Sequence, residues 1–147
     1  MARKKHPIGK EYDTFTNLEL KLLQIIMNPH YSAKDLDFFK YKITSEFIDH
    51  SHLYRSAVKY DQDELTNIIL NSGRFDINDG ELYLDIVGSI MFGCDDRISK
   101  HLTNGYVPTK KDLEGILSTY EEVDDKDFNQ DIFLYFSELY YKLKNFE

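Results

Sequence analysis

The 147-residue sequence has no tryptophan and only one cysteine, Cys94. A single cysteine excludes an internal disulfide and fits a reducing compartment. No stretch approaches the run of about eighteen apolar residues that a membrane span requires. The basic amino end, Arg3-Lys4-Lys5, has no apolar segment behind it, so it does not read as an export signal. These absences point to a cytoplasmic protein that does not use a membrane. Motifs of catalysis are missing too: there is no glycine-rich phosphate loop, no nucleophile elbow and no helix bearing a His-Glu metal pair. The expectation is a chain that is not an enzyme and needs no cofactor.

Apolar residues make up 41% and charged residues 30% of the chain, a globular balance, and 11 Tyr with 10 Phe supply much of the packing volume. The net charge of −8 is unevenly placed. Residues 1–73 hold ten Lys or Arg against ten Asp or Glu, and residues 74–147 hold eight against sixteen, so the whole excess lies in the second half. Direct nucleic-acid binding relies on neutralising phosphates and is disfavoured. An acidic half instead attracts a protein partner with a basic surface.

One pattern occurs twice at a spacing of 32 residues: Tyr54, Ala57, Thr66, Leu70 and Gly73 correspond to Ile86, Ser89, Ile98, Leu102 and Gly105. A fixed period in this range marks stacked supersecondary units. Each unit reads as helix, short turn, helix and glycine-terminated loop, with Asp61 and Gly93 at the two interhelix turns. The first pair spans about 51–60 and 63–71, the second about 81–92 and 95–103. Tyr54 with Ala57, the run Ile68-Ile69-Leu70-Asn71-Ser72-Gly73 and the loop Asp76-Ile77-Asn78 resemble the ankyrin repeat, with His52-Leu53 in place of the usual Thr-Pro and Phe75 as an extra loop residue. The resemblance implies an all-α stack that holds proteins on its loop tips and adjoining helix face.

The flanks extend that pattern. Leu18, Leu22, Ile25 and Ile26 form the stripe of an amphipathic helix ended by Asn28-Pro29. Ser32 with Asp35 starts a second helix that turns Leu36, Phe38 and Phe39 inward. Subtracting 32 places Leu22 and Ile25 under Tyr54 and Ala57, so these two helices form a degenerate first unit. After Pro108, Thr109 with Asp112 starts a helix bearing Leu113, Ile116, Leu117 and Tyr120. A last helix over about 129–145 carries Ile132, Phe136, Leu139 and Leu143 and reads as a cap. The expected organisation is a flexible basic arm over 1–13, then a single all-α domain over 14–147 in the form of a short ankyrin-like stack of about four helix pairs.

Three constellations invite chemistry. Asp125, Asp127, Asn129 and Asp131 match the first four ligand positions of a calcium loop, but Gln130 and Phe136 stand where glycine and a bidentate glutamate are required. His50-Ser51-His52 lacks a third ligand at metal spacing. Cys94 has His101 seven residues on, about two helical turns away. None of the three carries a site.

Interaction residues are more promising. In the last helix Leu134 and Tyr141 lie opposite the apolar stripe. Phe75 and Tyr106 sit at loop tips, and Glu121, Glu122, Asp124, Asp125 and Asp127 form an acidic link. The combined expectation is a non-enzymatic protein-binding module that inhibits or neutralises its target, in the manner of an immunity protein, an antitoxin or a virus-encoded inhibitor, within a bacterial cell or a virus-infected host cell. The alternative is an acidic mimic of nucleic acid that blocks a DNA- or RNA-binding protein.

Overall fold

The computed structural model describes residues 16–78 and 82–145, and every regular element among them is helical. The basic arm expected over 1–13 lies outside the described residues. Contacts divide the chain into two compact units that part between Asp76 and Ile77.

The first unit contains α1 (Asn17–Ile26), α2 (Ala33–Lys42), α3 (His50–Lys59) and α4 (Asp63–Leu70). Helix α1 packs on α2 and α3, and α3 packs on α4. Their core is Leu22, Ile26, Phe39, Ile43, Leu53, Tyr54, Ala57, Leu65 and Ile69, all buried. Ser32 and Asp35 form the capping box expected of them, and Thr16 forms a second with Glu19 at the start of α1.

The second unit contains α5 (Leu82–Met91), α6 (Asp95–Thr103), α7 (Lys110–Glu121) and α8 (Gln130–Asn145). Helix α5 packs on α6 and α7, and α7 packs on α8. Leu82, Ile86, Ile90, Ile98, Leu113, Ile116, Tyr120, Ile132 and Phe136 fill the interior. Thr109 and Asp112 cap α7 as their spacing suggests.

Taken separately, the hairpins α3–α4 and α5–α6 are built alike. In the first, the N–H of Gln62 donates to the carbonyl of Ala57 at 2.9 Å; in the second, Cys94 donates to Ser89 at 2.8 Å. Asp61 and Gly93 each adopt positive φ at the turn, 57° and 71°, as do Gly73 and Gly105 at the closing stop. Buried positions also coincide along the 32-residue shift: His50 with Leu82, Tyr54 with Ile86, Ala57 with Ser89, Val58 with Ile90, Thr66 with Ile98 and Ile69 with His101. Small side chains at 57 and 89 leave room for two helices to approach closely.

Candidate protein-binding surface

The acidic link is held from beneath by aromatic packing. Glu121 ends α7, and Asp124 caps a short 3₁₀ turn over Asp125–Asp127 by accepting the N–H of Lys126. Buried Phe128 meets Tyr120 edge-to-face at 4.7 Å, and Phe133 does so at 5.2 Å. Glu121, Glu122, Asp124, Asp125 and Asp127 remain exposed above this cluster. Lys126 lies 3.7 Å from Asp124, so one base offsets part of their field.

Residues that suggested a calcium loop have other duties. Asn129 Oδ1 accepts the N–H groups of Asp131 and Ile132 and so caps α8, while Gln130 donates its amide to the Asp125 carbonyl. Among the described residues no group of three or more His, Cys, Asp or Glu is arranged to hold a metal ion. Buried His50 has Nε2 2.7 Å from the Ile43 carbonyl.

On α8 the apolar stripe turns inward as its spacing suggests: Ile132 and Phe136 are buried, and Leu139 and Leu143 are half-buried. Leu134, Tyr135 and Tyr141 are exposed on the outer side, beside Glu138 and Lys142.

The loop-tip aromatics behave differently from expectation. Phe75 is half-buried and stacks on the buried ring of Tyr54, with centroids 4.8 Å apart. Tyr106 is only 5% exposed, so its ring is not offered to a partner. Its hydroxyl donates to Asp112 at 3.2 Å; burial foremost, then the Asp112 charge, pushes its pKa well above the ordinary tyrosine value. The residue exposed at this tip is Val107, whose N–H donates to Asn78 Oδ1 at 2.8 Å.

Two further features escaped the sequence reading. The first is the outer side of α5, where Leu84, Met91 and Phe92 are 67%, 56% and 82% exposed. Gly88 lies between them, and a Cβ added there would meet no atom within 4 Å. Leu84, Gly88 and Met91 stand at i, i+4 and i+7, so they form one uncharged face with a notch at its centre. A helix apolar on both sides is ordinarily covered on both.

The second feature is a polar cluster where the first hairpin is apolar. Shifting Leu53, Leu65 and Ile69 by 32 reaches Asp85, Arg97 and His101. Asp85 Oδ2 lies 2.6 Å from Nε2 of the fully buried His101, and its Oδ1 lies 3.9 Å from Arg97 Nη1. His101 is therefore engaged with Asp85.

No protein-family model, curated protein or solved structure matches this chain. No helix among the described residues is long and apolar enough to cross a membrane.

Proposed function

We propose that the chain is a non-enzymatic protein-binding module that inhibits or neutralises its target, and that the partner covers the outer face of α5. The observation that carries this reading is the exposure of Leu84, Met91 and Phe92 around the open position at Gly88. Exposed apolar groups gathered on one face mark interaction sites far more often than scattered ones do. Large flexible and aromatic side chains, Met and Phe, are the types that anchor interfaces.

The acidic link supplies the second element. Its five exposed carboxylates favour a partner with a basic surface and act over distance during approach, whereas the α5 face acts after contact. The repeated helical hairpins and their resemblance to the ankyrin repeat support the same assignment, because short helical-repeat proteins present extended surfaces to other proteins.

The test is capture of partners from the source cells with tagged wild-type protein and two variants, L84S/M91S/F92S and a link-reversed variant with E121K, E122K, D124K and D125K. All these positions are exposed, so circular dichroism should report unchanged folding. The expected result is one partner that the α5 variant loses at every salt concentration. The link variant should retain it with slower association and a weaker salt dependence. A partner held equally by wild type and both variants overturns the assignment. A nucleic-acid-binding protein displaced from the chain by its own DNA or RNA would instead establish the mimic.

A further inference from the structure

We propose that a groove in the first unit, between the end of α2 and the outer side of α4, binds an extended polypeptide segment through its main chain. The groove is shallow and open to solvent, with a volume of about 590 Å³, and its lining includes Lys40, Ile43, Glu64, Asn67, Ile68 and Asn71. That volume is within the usual range for ligand sites.

The chemistry of the α4 wall selects the occupant. Glu64, Asn67 and Ile68 fall at i, i+3 and i+4 on one side of α4, and Asn71, the residue that caps its C-terminus, follows at i+7. The side chains of Asn67 and Asn71 are exposed and make no hydrogen bond among the described residues. Each carboxamide offers donors and an acceptor together, the same complement as a peptide group. Four residues of helix rise about 6 Å, and two residues of extended chain advance about 6.7 Å. Two asparagines one turn apart therefore match the repeat at which a strand presents successive N–H and C=O pairs to one side. Ile68 between them supplies an apolar surface for a side chain of that strand.

Charge argues against other ligands. The two charged residues in the lining, Lys40 and Glu64, have opposite signs, and Glu64 already accepts the hydroxyl of Tyr31 at 2.6 Å. No net field gathers phosphate or a charged small molecule there. From Glu64 to Asn71 the wall is about 10.5 Å long, enough for roughly three extended residues. The site thus reads main chain with little demand on sequence.

This inference rests on the protein-binding reading only in taking polypeptide as the ligand; its surface is separate from the α5 face. The probe is an acetylated and amidated pentapeptide of alternating serine and leucine, added to the full-length protein while the side-chain amide signals of Asn67 and Asn71 are followed by NMR. Two analogues, N-methylated at the serines or at the leucines, remove the main-chain donors of either register. The expected result is a shift of both carboxamide signals by the parent peptide, loss of that shift with at least one analogue, and binding weakened roughly tenfold or more in N67A/N71A. Both positions are exposed, and alanine favours helix at 67, so circular dichroism should report kept folding. Unmoved carboxamide signals, binding of both analogues equal to that of the parent peptide, or unchanged affinity in N67A/N71A overturns the proposal. If a captured partner is lost by L84S/M91S/F92S and the peptide leaves the asparagines unmoved, the groove fails and the module stands. If the peptide binds as stated and the α5 variant keeps every partner, the α5 assignment fails and the groove stands.

Discussion

A side-chain oxygen of Glu19 accepts the backbone N–H of Asp49 at 2.9 Å, across thirty residues of chain. Glu19 is buried, and its other oxygen accepts the N–H of Thr16 at 3.2 Å. Asp49 in turn caps α3 by accepting the N–H of His52 at 3.1 Å. One carboxylate thus joins the beginnings of two helices. Replacing Glu19 by alanine leaves two half-buried donors without this acceptor and should lower stability by about 1–3 kcal/mol. Glutamine keeps one acceptor and should cost less. Urea unfolding of both variants tests the order; an alanine variant as stable as wild type would show that the link contributes nothing.

The cluster Asp85–Arg97–His101 makes a contrasting case, because Leu53, Leu65 and Ile69 fill the same places in the first hairpin. Removing His101 takes away the contact it makes with Asp85 at 2.6 Å. H101I alone should therefore destabilise by about 1–3 kcal/mol. Restoring the apolar set with D85L/R97L/H101I should recover that loss or exceed wild-type stability, as apolar replacements of polar pairs in a packed interior often do. Chemical denaturation of the single and triple variants separates the cases. Losses that simply add across the three sites would contradict the equivalence of the hairpins.

Gly115 lies within α7, where glycine costs about 1 kcal/mol relative to alanine. The reason for it is Tyr83 on α5, whose hydroxyl and ring edge occupy the place of a Cβ. G115A should therefore lower the melting temperature, corresponding to about 1–3 kcal/mol of overpacking. In a Y83A background the same substitution should raise it. A double-mutant cycle reads the reversal directly, and alanine that stabilises in both backgrounds would refute the contact.

Alkaline pH should titrate three phenols that the fold holds protonated. Burial first, then hydrogen bonding to Glu64, pushes Tyr31 up to about 12. Tyr106 and Tyr120 are also raised, chiefly by burial and next by the charges of Asp112 and Asp95 respectively. A raised folded-state pKa favours the protonated fold, so this stability is complete below the ordinary tyrosine pKa near 10 and declines as pH rises through the folded values. The expected measurement is a steepening loss of stability above about pH 10, accompanied by phenolate absorbance. Tyr120 adds a distinguishing case: its hydroxyl is buried and has no hydrogen-bond partner among the described residues. Y120F should be neutral or stabilising at pH 7 and should flatten the alkaline decline; a large loss at pH 7 would reveal a bond to that hydroxyl.

Much of the fold was legible because local signals and burial agreed. Ser32 with Asp35 and Thr109 with Asp112 announced helix starts, Gly73 and Gly105 announced stops, and the inward stripe of α8 followed from Ile132 and Phe136. The cap of Thr16 with Glu19 is harder to read locally, because Glu19 is buried and bonds Asp49, thirty residues away. Tyr106 looked like an open loop tip because its partner Asp112 was read only as a cap. Asp85, Arg97 and His101 carry no motif of their own; their proximity emerges when each is compared with the apolar residue 32 positions earlier. The outer face of α5 was overlooked for the opposite reason. Its residues are apolar, as core residues are, and the 32-residue register pairs positions without saying which side of a helix is covered.

That outer face also governs how the free protein behaves in concentrated solution. Away from its isoelectric point the chain's excess of carboxylates keeps copies apart, and Leu84, Met91 and Phe92 remain in water at little risk. As acidification brings the net charge toward zero, mutual repulsion fades while the uncovered apolar surface is unchanged. The uncomplexed chain should therefore precipitate in mildly acidic buffer more readily than L84S/M91S/F92S does.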